Sequence, residues 1–316
     1  MTKTKMAFLF PGQGAQAIGM GSQLAASHDV ARHLFEEVND ALNEDLFALM
    51  QNGPEDDLRL TRNAQPALFA ASMAAVRVLE AELGKTLTSV ATYVAGHSLG
   101  EYAALAAANS LGIADAARLL RQRGDAMQAA VADGDGAMAA ILGADEAQID
   151  VILAEASAKG LVQLANDNAT GQIVISGVTE AVDAAIDIAK DAGIRRAIKL
   201  PVSAPFHCDL MAPAADVMQA ALDAVSMSDA IKPVICNVTA TAETDADMLR
   251  TNLVTQICSR VRWRETLMML GQSEITHFIE LGTGKVLSGL VKRTLDDVSI
   301  ANLDGTADLD NVMAHF

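Results

Sequence analysis

The chain has 316 residues, 51% of them hydrophobic and 20% charged, with 40 acidic against 23 basic side chains and a formal net charge of −17. No apolar run reaches the roughly 18 residues of a membrane-spanning helix, and the charge opposes any general affinity for nucleic acid or anionic lipid, which needs clustered Lys and Arg. The three cysteines, Cys208, Cys236 and Cys258, are odd in number and lack zinc-ligand spacing, so neither a disulfide framework nor a metal knuckle is expected. Aromatic residues are only 3% of the chain, which leaves Ala, Leu, Ile, Val and 14 Met to fill the core.

The opening residues carry positive charge, but the apolar stretch that follows stops at Pro11 and is too short for an export signal. Met6–Phe10 reads as a first buried strand, and a cytoplasmic protein is expected. The sequons at Asn168 and Asn237 then read as chance matches. A turn-rich Pro11–Gln16 follows, and helical patterns dominate to about Gly84. Gln65–Leu83 is one long helix, with Leu68, Ala71, Ala75, Val78 and Leu79 near helical spacing. Val90–Ala95 reads as a short strand, Gly100–Asn109 as an Ala-rich helix, and Ala114–Ala132 as another, ended by the loop Asp133–Gly136.

Between residues 133 and 200 the pattern changes. Ala137–Leu142 suits a strand, and Asp145–Lys159 a helix with Ile149, Ile152, Leu153 and Ala156 on one face. Leu161–Ala165 and Ile173–Ser176 suit strands, Thr179–Ala192 a helix and Ala197–Leu200 a strand. That β-α-β-β-α-β order is the ferredoxin-like split arrangement. Strand and helix alternation of the first kind resumes near Val234 and Phe278. The expected fold is α/β: a hydrolase-like parallel-sheet core, residues 1–132 and 201–316, carrying an inserted ferredoxin-like α+β subdomain, residues 133–200. A cleft between the two is the natural ligand site.

Gly96-His97-Ser98-Leu99-Gly100 matches G-x-S-x-G after a predicted strand and before a predicted helix, the context a nucleophile elbow requires. The helix N-terminus brings backbone N–H groups and partial positive charge beside Ser98, which suits an attacking hydroxyl and a developing oxyanion. A serine needs a base, and six histidines are present. His28 and His33 lie in a polar helical stretch and read as solvated. His97 neighbours Ser98 and points elsewhere, towards the lining of the pocket. His277 sits in a strand and reads as structural. His207, in the proline-pinned loop Leu200–Cys208, and His315, near the C-terminus, stay even as candidates on the residues alone. Asp209 is too close in sequence to His207 to complete a triad with it. Charge patterning alone reads Arg123 as a surface arginine. Gly282-Thr-Gly-Lys285 lacks the phosphate-loop spacing, and Gly12-Gln-Gly14 lacks the third glycine of a dinucleotide fingerprint.

Several segments in order resemble the malonyl-CoA:acyl carrier protein transacylase family: Gly12–Gln16, Gly96–Gly100, Gln122-Arg-Gly124, Asn166–Gly177, Pro201–His207, Leu253–Gln256 with Val261-Arg-Trp263, and Glu280–Lys285. The resemblance covers essentially the whole chain. It implies ping-pong acyl transfer in fatty-acid synthesis, with Ser98 as nucleophile and His207 as general base, in a dyad whose other imidazole N–H is accepted by the main-chain carbonyl of Gln256. It maps the oxyanion-hole N–H groups to Gln13 and Leu99, the malonyl carboxylate to Arg123, and pocket-lining positions to Phe206 and Asn166. The bulk of Phe206 goes with an unbranched malonyl group. The implied partners are malonyl-CoA and acyl carrier protein, with no cofactor beyond the coenzyme A thioester, no metal, and a monomeric enzyme. Both partners are anionic while the chain is at −17, so a local basic patch is required; Lys190, Arg195, Arg196 and Lys199, or Lys285, Lys292 and Arg293, are the candidates. A serine hydrolase or thioesterase with the same elbow, a polyketide-pathway malonyltransferase, and a non-catalytic carrier-binding module are the competing readings.

Overall fold

The computed structural model describes residues 4–132, 134–202 and 204–316. Asp133 of the expected loop and Ser203 of the His207 segment lie outside the described residues. The first strand, β1 (Met6–Phe10), is buried along its whole length. Its side chains alternate: Phe8 and Phe10 enter one apolar cluster and Ala7 and Leu9 the other, so the sheet is covered on both faces. β1 pairs in parallel with β2 (Tyr93–Gly96), in register Ala7 with Tyr93 through Phe10 with Gly96. The remaining core strands are β7 (Val234–Ile235), β8 (Ala242–Glu243), β9 (His277–Leu281) and β10 (Ser299–Leu303). The six-stranded order is β10-β9-β1-β2-β7-β8. Five strands run parallel, but β8 folds back antiparallel on β7, so the sheet expected to be parallel is mixed at one edge.

The smaller sheet comprises β3 (Gly136–Leu142), β4 (Val162–Ala169), β5 (Gln172–Val178) and β6 (Arg196–Lys199), ordered β4-β5-β3-β6 and antiparallel throughout. Helices Glu146–Ala156 and Thr179–Asp191 cover one face, burying Ile149, Ile152, Val182, Ala185 and Ile186 in a core of their own. Met138 and Val174 point the other way, into the main core cluster and the cleft between the sheets.

Three elements depart from the reading of the residues. The long helix spans Thr61–Leu83 and holds Pro66 inside it. Pro66 cannot donate to the Arg62 carbonyl four residues back. That carbonyl instead accepts Arg121 Nη1 at 2.7 Å, which lets the helix begin a turn early. The expected strand at residue 90 begins at Tyr93, because Leu87–Val90 forms a helical turn. β4 continues four residues beyond Ala165, through Asn166, Asp167 and Asn168, with register shifts on both sides of Asn166 and Asp167. Polar residues there broke the apolar alternation that marks a strand. Among the described residues, no helix is long and apolar enough to cross a membrane. Cys208 and Cys236 are buried and Cys258 partly so, all as free thiols.

Candidate active site

Ser98 sits at the hinge between β2 and helix Gly100–Ala107 with φ of 53°, a left-handed conformation unusual for a side chain with a Cβ. The neighbouring glycines permit the bend. A Cβ on Gly96 would lie 1.9 Å from the Gly100 carbonyl group, and one on Gly100 would lie 2.3 Å from Phe10 O. Asn237, just past β7, ties the hinge together. Its Oδ1 accepts the Ser98 backbone N–H at 2.7 Å and its Nδ2 donates to Gly96 O at 2.7 Å.

The Ser98 hydroxyl lies 2.8 Å from His207 Nε2, and His207 Nδ1 lies 2.9 Å from Gln256 O. A carbonyl only accepts, so Nδ1 carries the proton and Nε2 accepts from the serine. Burial lowers the His207 pKa to about 3, with the Arg123 charge as the second cause. The imidazole is therefore neutral near pH 7. His207 itself has φ of 59°, a bend imposed by its loop.

Arg123 is 1% exposed, which overturns the surface reading that charge patterning favours. Helix Ile113–Ala129 turns it inward beneath the elbow. Nη1 donates to Gln65 Oε1 at 2.8 Å, and Nη2 to Gln256 Oε1 at 2.9 Å and Ser98 Oγ at 3.2 Å. The guanidinium also lies 6.0 Å from the centre of the Tyr102 ring. Among the described residues no carboxylate forms a direct ion pair with it.

Ser98, His207 and Arg123 open into a cleft of about 770 Å³ between the two sheets, lined also by Gln13, Gln65, Met138, Asn166, Val174, Phe206 and Leu290. Gly12 packs the turn of Gln13 directly onto the elbow: a Cβ there would meet His97 O at 2.7 Å. Among the described residues, the backbone N–H groups of Gln13 and Leu99 donate to no protein acceptor. The Gln13 side chain is occupied, donating to Thr61 Oγ1 at 3.2 Å. His97 lines the cleft as expected, 2.8 Å from Asn168 Oδ1 and 3.4 Å from Asn166 Nδ2.

The tie between the two candidate bases is resolved by distance along the sheet. His315 packs edge-on against His277, 5.3 Å between ring centres. His277 pairs with Met6, at the end of the sheet away from Ser98. His28 is partly buried, not freely solvated, with Nε2 3.4 Å from Glu82; His33 is exposed. Asp209 bonds Gln163, not His207. Of the basic clusters, Lys190 and Lys199 are paired with Asp187 and Asp183 on the smaller lobe. The other lies beside the cleft: Lys285, itself 4.0 Å from Asp308, precedes helix Val286–Thr294, whose Val286, Leu287 and Leu290 line it, and Arg293 bonds Gln172 at the same rim.

Several participants escaped the reading of the residues. Asn237 is visible only as a sequon, and Asn168 only as a sequon inside the Asn166–Gly177 stretch, yet both are buried at the site. Gln65 reads in the sequence only as the start of an apolar helix; its one signal is an amide in an alanine-rich stretch, and the structure buries it. The Gln256 side chain, and Glu101 beneath it, had no signal at all.

The family described as "Acyl transferase domain" matches residues 7–313. The malonyl CoA-acyl carrier protein transacylase of Escherichia coli (strain K12) is 43% identical over 301 residues, 95% of this chain and 96% of that protein. The crystal structure of an acyl-carrier-protein-S-malonyltransferase from Bartonella henselae is 47% identical, with a TM-score of 0.96 over 98% of this chain and 99% of that one. A malonyl-transacylase solved in complex with a type II PKS acyl-carrier protein is 41% identical, with a TM-score of 0.95 over 99% of this chain and 100% of that one. The elbow, the cleft and these likenesses agree along the whole length, and the chain belongs to the acyl transferase domain family, among the malonyl-CoA:acyl carrier protein transacylases.

Proposed function

We propose that the chain transfers malonyl from malonyl-CoA to the phosphopantetheine thiol of acyl carrier protein, by way of an acyl-serine, supplying fatty-acid synthesis in the cytoplasm. The observation that carries this reading is one hydroxyl, Ser98 Oγ, 2.8 Å from a neutral imidazole and 3.2 Å from a buried guanidinium.

In the first half-reaction Ser98 Oγ attacks the thioester carbonyl and its proton passes to His207 Nε2. The oxyanion is received by the N–H groups of Gln13 and Leu99, which among the described residues have no protein acceptor to give up. The C–S bond then breaks and the leaving thiolate takes the proton from His207. In the second half the carrier thiol gives its proton to His207, its sulfur attacks the ester carbonyl, and Ser98 leaves reprotonated. Arg123 holds the malonyl carboxylate with charge-assisted hydrogen bonds. That pairing also offsets the positive charge that adds to burial in depressing His207, so the base strengthens when the correct acyl group arrives. Phe206 and Asn166 line the acyl pocket, and the bulk of Phe206 supports a preference for the unbranched malonyl group. The chemistry is complete with hydroxyl, imidazole and backbone N–H, so we expect no cofactor; a monomer is what the family resemblance implies. Lys285, Lys292 and Arg293 beside the cleft supply local positive charge for two anionic partners.

The test is intact-mass measurement after mixing with malonyl-CoA. The native chain gains one malonyl group, which persists until a holo carrier protein removes it, and Ser98→Ala gains none. Labelling elsewhere overturns the nucleophile assignment, and rapid loss to water without carrier would make the protein a thioesterase.

A further inference from the structure

Glu101 is 1% exposed, in the first turn of the helix that follows Ser98, and the acyl-transfer steps above do not use it. Its Oε2 accepts Gln256 Nε2 at 2.7 Å and the Asn237 backbone N–H at 3.1 Å. Those two residues hold the rest of the site. Asn237 bonds both sides of the elbow. Gln256 accepts the His207 Nδ1–H on its main-chain carbonyl, donates its amide N–H to Ser98 O at 3.1 Å, and accepts Arg123 on its amide oxygen. An amide has a donor end and an acceptor end. An ionised carboxylate can only accept, so it turns the Gln256 NH2 towards itself and the oxygen towards Arg123. A neutral partner could donate to that oxygen instead, and the flipped amide would set NH2 against the guanidinium NH2.

A second consideration is charge. Arg123 is fully buried, and a buried cation without an opposite charge is costly. Among the described residues the carboxylate joined to it is Glu101, through the Gln256 amide and with no direct ion pair between them; the Tyr102 hydroxyl and this carboxylate both favour the charged guanidinium. A direct pair would occupy the edge of the guanidinium that a substrate carboxylate needs.

We propose that Glu101, ionised, is a positioning residue for acyl selection: it orients the Gln256 amide and balances Arg123 through it, keeping the guanidinium aimed at Ser98 and open to the substrate carboxylate. This rests on the malonyl-transfer reading above. The titratable groups facing Glu101 are Tyr102 on its own helix, Arg123 from helix Ile113–Ala129 and Cys236 beside β7. Burial raises Glu101 to about 7, against the pull of the Asn237 N–H, the Gln256 amide and Arg123. Burial holds Tyr102 at about 12 and the Cys236 thiol far above neutrality, so neither titrates with it. His207, depressed to about 3, does not titrate there either. Activity that needs ionised Glu101 is present above that pH and falls as pH drops through it.

The experiment compares the native chain with Glu101→Gln and Glu101→Asp, using malonyl-CoA and acetyl-CoA as donors from pH 5.5 to 9. Thermal melts report folding, and intact mass reports acylation. The native chain should show an acid limb near pH 7 in kcat/KM for malonyl-CoA. Glu101→Gln should melt close to native, lose at least tenfold in malonyl kcat/KM, lose at least fivefold in malonyl-over-acetyl preference, and lack the limb. Glu101→Asp should keep the limb and recover part of the rate. A Glu101→Gln protein with native preference and limb overturns the proposal, as does an equal loss on both donors with the limb intact. If Glu101→Gln fails to fold, a native profile flat from pH 6 to 8, or an Asp variant without the limb, overturns it. A native chain that malonyl-CoA does not label at Ser98 overturns the functional reading instead.

Discussion

Arg123 presents its guanidinium to Ser98 Oγ without a carboxylate in contact among the described residues, so its charge remains available to a ligand. A charge-assisted pair in a buried site contributes about 2–4 kcal/mol to binding or transition-state stabilisation. Arg123→Ala is therefore expected to lower malonyl kcat/KM about 100-fold or more, since each 1.4 kcal/mol is about tenfold. The acetyl reaction, which presents no carboxylate, should fall about tenfold or less, from the lost contact with Ser98 and Gln256 alone. Steady-state kinetics with both donors decides this, and equal losses would mean that Arg123 does not read the carboxylate. The sequence held the arginine but not its direction. Helix Ile113–Ala129 carries Arg118, Arg121 and Arg123, and their neighbours alone do not tell the exposed Arg118 from the buried Arg123. Gln65 and Gln256, which receive the guanidinium, are 58 and 133 residues away.

The elbow is an element whose geometry follows from its residues. Backbone approaches backbone around Gly100: an added Cβ would meet Phe10 O at 2.3 Å and Pro11 O at 2.9 Å, neither of which can rotate away. Gly100→Ala should cost at least about 3 kcal/mol in a denaturant titration, or prevent accumulation of folded protein. Gly289, in helix Val286–Thr294, faces open space: an added Cβ would meet nothing within 4 Å, so Gly289→Ala should gain up to about 1 kcal/mol by helix propensity. The same titration measures both, and a tolerated Gly100→Ala would show that the strand–turn–helix junction is looser than these contacts require. β4 is the contrasting element. Its Asn166-Asp167-Asn168 run lies against the cleft and an ion pair, not an apolar layer, and period-two reading ended the strand at Ala165.

At the scale of the molecule, the site exists only where lobe and core meet. Asp167 turns away from the cleft and receives Arg264 in a bidentate pair, Nε to Oδ1 at 3.0 Å and Nη2 to Oδ2 at 2.9 Å. Arg264 also reaches Glu146 on the lobe. The backbone joins the two bodies beside it, with Val261 N–H to Ala165 O at 2.8 Å and Asp167 N–H to Val261 O at 2.9 Å. Asn166 and Asn168 on either side of Asp167 face His97. Arg264→Ala strands a nearly buried carboxylate and should cost about 2–4 kcal/mol. It should also raise KM for malonyl-CoA severalfold as the two asparagines lose their anchor. Thermal melts with kinetics test this, and a native KM would separate the clamp from the site.

The sequence by itself determined the α/β core, the split β-α-β-β-α-β lobe and the serine on its bend, because each follows from local rules: alternation, helical period and glycines at a tight turn. The motif order also carried the family, and the resemblance implies the roles proposed for Ser98, His207, Arg123, Gln13, Leu99, Asn166, Phe206 and the Gln256 carbonyl. On the residues without that resemblance, only tertiary structure set His207 rather than His315 beside Ser98, turned Arg123 inward, and supplied the amides and carboxylate that hold them. Those are contacts across tens to hundreds of residues, and hydrogen-bond partners at such range leave no periodicity in a single chain.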